Sequence, residues 1–144
     1  MKITKIRNLV NMALAGEMLT FQELRPHLDY AIDEINDTLN TTFPAFSDLE
    51  SEAEDYNYFP DKYIRQVVIP GAAWHFYVYD EEGVVTAQQY QLDFENGKFK
   101  MLRDYSEYIP EEYQAETEAH VMDNPDNMST GDRGLRIYGD YDFL

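Results

Sequence analysis

The chain has 144 residues, with 11 Lys and Arg against 28 Asp and Glu, for a formal net charge of −17. That length suits one domain with one core, and that charge argues against binding DNA phosphates, which takes clustered Lys and Arg, or an anionic membrane surface. With no cysteine, a disulfide framework, a thiol nucleophile and a Cys-based zinc site are excluded.

Ile3, Ile6, Val10, Ala13 and Leu14 recur at helical spacing and Gly16 stops the run, which predicts a helix over 2–15. Thr4, Lys5, Arg7, Asn8 and Asn11 interrupt the apolar positions, so this is an amphipathic stripe and not a signal peptide. No apolar run long enough to span a bilayer occurs in the sequence. A reducing aqueous compartment is expected, where the glycosylation sequons at Asn36, Asn40 and Asn127 are chance matches. Thr20, with Glu23 three positions later, has the pattern of a capping box. The stripe that follows, Leu24, Leu28, Ile32, Ile35 and Leu39, is the cleanest amphipathic signal in the chain. Pro26 predicts a separate first turn or a kink there.

Pro44 and Pro60 bracket an acidic stretch in which Asp48, Glu50, Glu52, Glu54 and Asp55 place five acids in eight positions without a base. It reads as a loop, with a short helical turn inside it. Pro60 and Asp61 suit the start of a third helix carrying Ile64, Val67, Val68, Ala72, His75 and Val78 or Tyr79. Pro70-Gly71 predicts a kink, and the β-branched run Val67, Val68, Ile69 reads alternatively as a strand. Asp80-Glu81-Glu82-Gly83 ends this element. A fourth helix is expected over about 84–104, with Ala87, Tyr90, Phe94, Met101 and Tyr105 on one face and Gly97 weakening its middle. Ile109-Pro110 ends the compact region.

Residues 111–120 read as a short exposed helix and 123–134 as turn and loop. The last segment alternates, with Leu135, Ile137, Tyr141 and Phe143 on one side. The expected fold is therefore mostly α: a small bundle of about four helices over 1–114, with an extended C-terminal arm, 115–144, ending in a lone β-strand. A single strand is not stable alone, so it either pairs with a partner by β-augmentation or is a tail with chance alternation.

Catalytic signatures are missing: there is no GxGxxG, GxxxxGK[ST], HExxH or GxSxG. His27, His75 and His120 are scattered, so only tertiary folding could build a histidine site. Asp123, Asp126 and Asp132 lack the spacing of a calcium loop. The expectation is no enzyme, no cofactor and no metal. Aromatic usage says more. Tyr56, Tyr58, Phe59, Tyr63, Trp74, Phe76, Tyr77 and Tyr79 crowd a 24-residue stretch. Two readings compete, a wide core and an oligomer interface with Tyr63, Trp74, Phe76 and Tyr77 as its candidates.

The LDYAIDEIN run, the FPAF after it, YFPDKYIRQVVIPGAA with its aromatic continuation, YQLDFENGKFKMLRDY and IPEEYQ together resemble head-to-tail connector (neck adaptor) proteins of tailed bacteriophages. The likeness covers roughly 20–114. It implies a small helical virion protein, present in the host cytoplasm before assembly. In the neck it forms a ring, of twelve subunits in that family, below the portal protein. Such a ring extends the DNA channel and docks a downstream neck or tail protein. DNA passes without specific binding, and there is no membrane partner. On this reading Asp48, Glu50, Glu52, Glu54 and Asp55 line the channel, where like charge lets DNA slide; the competing reading is a solvated outer surface. The arm strand then docks on the portal or a neighbouring subunit. An acidic decoy that mimics DNA to inhibit a host protein is the alternative function.

Overall fold

The computed structural model describes residues 1–49, 51–78 and 84–115, with the backbone alone at 84–86. The chain divides into two units, Met1–Gln114 and Ala115–Leu144. The arm residues Leu135, Ile137, Tyr141 and Phe143 lie outside the described residues, as do Glu50 and the 79–83 corner.

The described residues are mostly helical and form four helices. Helix α1 is Ile3–Ala13 and α2 is Phe21–Leu39. Helix α3 covers 61–78 in three continuous pieces: α-helical Asp61–Tyr63, π-helical Ile64–Val68 and α-helical Ile69–Val78. Helix α4 is Val84–Tyr105. Single 3₁₀ turns follow at Phe46–Asp48, Ser106–Tyr108 and Glu111–Tyr113.

Helix α1 is shorter than expected because Ala15 and Gly16 take left-handed backbone, with φ of 61° and 86°. The capping box of α2 is present. The Glu23 N–H donates to Thr20 Oγ1 at 3.2 Å, and the Thr20 N–H to Glu23 Oε1 at 2.8 Å. The helix runs through Pro26 without a separate first turn, and that proline is on the exposed face, where water can reach the carbonyl it leaves without a donor. Asn40, left-handed at φ 58°, ends α2.

The third helix removes the strand alternative. Val67 to Ile69 is helical, not a strand, and Pro70-Gly71 lies within a continuous helix. The adjustment falls in the preceding turn instead. Pro70 has no N–H for the Gln66 carbonyl and its ring would crowd that oxygen. The chain widens to a π-turn, in which the Ile69 N–H donates to the Ile64 carbonyl five residues back.

Helix α3 packs against α1, α2 and α4 and is the centre of the unit. Ile69 to Ala73 are all buried, as befits a helix covered on most sides. Around it are Ile6 and Val10 of α1, Leu24, Leu28, Ile32 and Ile35 of α2, and Phe94 and Met101 of α4. Each large apolar side chain so buried stabilises the fold by about 1.5–3 kcal/mol. Two glycines set the spacing of α3 and α4. A Cβ on Gly71 would lie 2.6 Å from the Phe94 ring, and one on Gly97 would lie 2.7 Å from the Gln66 carbonyl oxygen. Gly97 is thus a point of close backbone approach between the helices, not merely a weak point in α4.

The ordered chain continues past Ile109-Pro110. The Thr42 N–H donates to the Tyr113 carbonyl, Thr41 and Gln114 form an isolated antiparallel bridge, and the Tyr113 ring packs on Phe43 and Tyr58.

Candidate functional site

Four of the five acids proposed to line a channel are described, and each is engaged within the chain. Asp48 accepts from the Ala45 N–H at 3.2 Å, and Glu54 from the Ser51 N–H at 3.0 Å. Glu52 pairs with Arg7 at 2.9 Å and Asp55 with Lys2 at 3.5 Å. The backbone does more. The Ile3 and Thr4 N–H groups, open at the start of α1, donate to the carbonyls of Glu54 and Glu52, at 3.0 and 3.2 Å. The acidic stretch is therefore a strap across the N-terminal end of α1, where negative charge is favoured by the helix dipole. Nothing in its sequence marked the partner. Its floor is aromatic: Phe46 stacks on Tyr56 at 4.4 Å, and the buried Tyr56 hydroxyl donates to the Pro44 carbonyl. Burial pushes the Tyr56 phenol far above its ordinary pKa, with the charges of Tyr58, Asp29, Tyr113 and Asp48 adding to the shift.

The four aromatic interface candidates separate into two pairs. Tyr63 and Tyr77 are buried in the chain's own core, against Tyr105 and Tyr90 respectively, and present nothing to a neighbour. For these two the wide-core reading is the right one, because α3 is central and its sides are covered. Trp74 and Phe76 are half-buried, beside Tyr30 and the histidines. Folding brings His27 of α2 and His75 of α3 together, Nδ1 to Nδ1 at 2.9 Å, with Tyr30 stacked on His75 at 4.4 Å. Burial lowers the pKa of both imidazoles, and for His27 the charge of His75 lowers it further. A neutral pair can share one hydrogen bond; a doubly protonated pair would place two donors face to face. Forty-eight residues separate the two histidines in sequence. Among the described residues no group of three or more His, Asp or Glu is placed to hold a metal ion.

The outer surface of α4 is the feature the sequence reading passed over. Leu92 and Phe99 are 59% and 60% exposed, two helical turns apart, on the side of α4 away from buried Phe94 and Met101. The i, i+7 spacing is present in the sequence, but two apolar positions are a weaker signal than the core stripe on the same helix. Lys100 and Arg103 flank Phe99 on this side and are exposed. Lys62 and Arg65 of α3 join them. Arg65 and Lys100 line one open groove of about 420 Å³. The Arg103 hydrogen bond, followed by the charges of Arg103, Lys62 and Lys100, holds the Asp104 carboxyl below its ordinary range. By contrast, Lys98 is 4% exposed and ties α4 to α2, with Nζ 3.2 Å from Glu34 and 3.3 Å from Glu95.

The outer face of α2 is acidic. Asp29 accepts from the Phe46 and Ser47 N–H groups at 2.6 and 3.2 Å and so fixes the FPAF turn. Asp33 and Asp37 are exposed and have no ion-pair partner among the described residues. Desolvation raises the Asp33 pKa first, and the charges of Asp29, Asp37 and Glu34 add to it.

These elements define a small, mostly helical unit whose polar groups serve its own packing and whose outer faces carry separated apolar, basic and acidic patches. Comparison with protein families, curated proteins and solved structures returns no match. Among the described residues no helix is long and apolar enough to cross a membrane.

Proposed function

We propose that this chain is a structural assembly subunit, a head-to-tail connector of a tailed bacteriophage. It forms a ring below the portal protein, extends the DNA channel and docks a downstream neck or tail protein. The observation that carries the reading is the outer surface of α4. Two large apolar side chains, Leu92 and Phe99, stand in water on a helix whose other side is fully used by the core. Apolar residues so placed fit a surface that is completed by protein contact. The segments that carry the sequence resemblance supply α2, the turn fixed by Asp29, α3 and α4, so the likeness extends over three of the four helices rather than one motif. The acidic strap lends the decoy alternative no support. A DNA mimic needs carboxylates free at phosphate-like spacing, and Glu52 and Asp55 are paired with Arg7 and Lys2.

The test is electron microscopy of the full chain mixed with the portal protein of the same phage. A ring stacked on the portal is the expected image. Failure to bind the portal, or recovery of a host DNA-binding protein as the sole stable partner, would overturn the proposal.

A further inference from the structure

Apart from exposed Lys5 on α1, the described bases fall into two sets. Lys2, Arg7 and Lys98 are paired with acids of the chain, and Arg25 donates to the Leu49 carbonyl beside Phe21. Lys62, Arg65 and Lys100 are exposed, with Arg65 and Lys100 lining one groove together with Asp93, and Arg103, paired with Asp104, lies one turn beyond Phe99 on the same side of α4, so the surface keeps a net positive charge. Among the described residues neither Arg65 nor Lys100 has an ion-pair partner. In a chain of net charge −17, a basic patch bordered by exposed apolar side chains selects its partner. The partner must be anionic, and it must also offer cover to a phenylalanine and a leucine. A nucleic-acid backbone meets only the first requirement, whereas an acidic protein surface meets both.

We infer that the partner is a second copy of this chain, whose acidic α2 face, with Asp33 and Asp37, receives the outer face of α4 bearing Leu92, Phe99, Lys100 and Arg103. The inference rests on the assembly reading above and gives it an interface. Charge complementarity sets the pairing. The α4 face against itself would oppose Lys100 and Arg103 to their own kind, and the α2 face against itself would oppose carboxylates. Of these three pairings, the α4-to-α2 contact sets a net basic face against an acidic one. Because the two faces are different surfaces, the contact is heterologous, and repeating it gives a closed ring if the rotation closes. It also places cations beside the acids that crowd one another around Asp33.

The experiment is a charge swap on exposed residues, read by sedimentation velocity of the full chain at low and high ionic strength. Wild-type protein is expected to associate with rising concentration and less so in salt. Lys100→Glu with Arg103→Glu, and separately Asp33→Lys with Asp37→Lys, should each weaken association by at least about tenfold. An equimolar mixture of the two variants should restore it, because every contact in an alternating chain is again between opposite charges. Circular dichroism confirms that each variant is folded. Wild-type protein that stays monomeric at every concentration, variants that associate as well as wild type, or a mixture that fails to recover would each overturn the interface. Variants that still form a ring on the portal would do the same while leaving the adaptor reading intact. Salt-sensitive association rescued by the swap, in a chain that never binds a portal, would uphold the interface and remove the adaptor reading.

Discussion

Gly97→Ala sets helix propensity against tertiary packing. In an isolated helix the change would stabilise by about 0.8–1 kcal/mol, because alanine loses less backbone entropy. In the fold, the new Cβ meets the Gln66 carbonyl oxygen at 2.7 Å and Val67 Cγ2 at 3.0 Å. The first contact falls short of ordinary van der Waals distance by about 0.7 Å, on the steep side of the repulsive wall. That oxygen belongs to the π-turn, which Pro70 already constrains, so it cannot swing away as a side chain would. Overpacking of this kind costs about 1–3 kcal/mol, and a backbone neighbour puts it at the upper end. The net expectation is a loss of about 1–2 kcal/mol. With a urea slope of about 2 kcal/mol per molar, the midpoint falls by about 0.5–1 M. Urea denaturation followed by helical circular dichroism reads this directly. Asn96→Ala, at the exposed neighbouring position, is the control and should raise the midpoint slightly. If Gly97→Ala also raised the midpoint, the close approach of α3 and α4 would be refuted.

Asp29→Ala removes the acceptor for the Phe46 and Ser47 N–H groups, where FPAF enters the Phe46–Asp48 turn, and should cost about 1–2 kcal/mol in the same assay. Asp29→Asn, which keeps an acceptor oxygen, should recover most of it; equal loss in both would show that shape matters and not the hydrogen bonds. Tyr56→Phe removes the hydrogen bond to the half-buried Pro44 carbonyl and should cost about 1 kcal/mol, with unchanged stability counting against a contribution from that bond. For the histidine pair the folded pKa values lie below the ordinary 6.5, so the unfolded chain takes up protons first as pH falls. The stability they contribute is therefore present above about pH 6.5 and is lost as pH drops through and below it. His27→Gln should flatten that part of a pH–stability profile, and a profile unchanged by the substitution would remove the pair from the account.

The sequence by itself determined the helices. The stripe from Leu24 to Leu39, the capping box of Thr20 and Glu23, and the apolar face from Ala87 to Tyr105 are local patterns, and each formed where its period and cap placed it. Helix boundaries and caps depend on neighbours within one turn, which is why they could be read from a single chain. What lay between distant segments was not legible. Tertiary structure alone decided that Tyr63 and Tyr77 belong to the core while Trp74 and Phe76 reach the surface, since that depends on which sides of α3 the other helices cover. It also joined His27 to His75 and turned an acidic stretch into a strap on α1. Composition registered an excess of acid but not where each carboxylate would find a hydrogen bond or a cation. A charge pattern along a chain carries no record of which charges will meet. The four described carboxylates of the strap bind groups of their own chain, two of them cations, while Arg65 and Lys100, far apart in sequence, meet at one groove between α3 and α4.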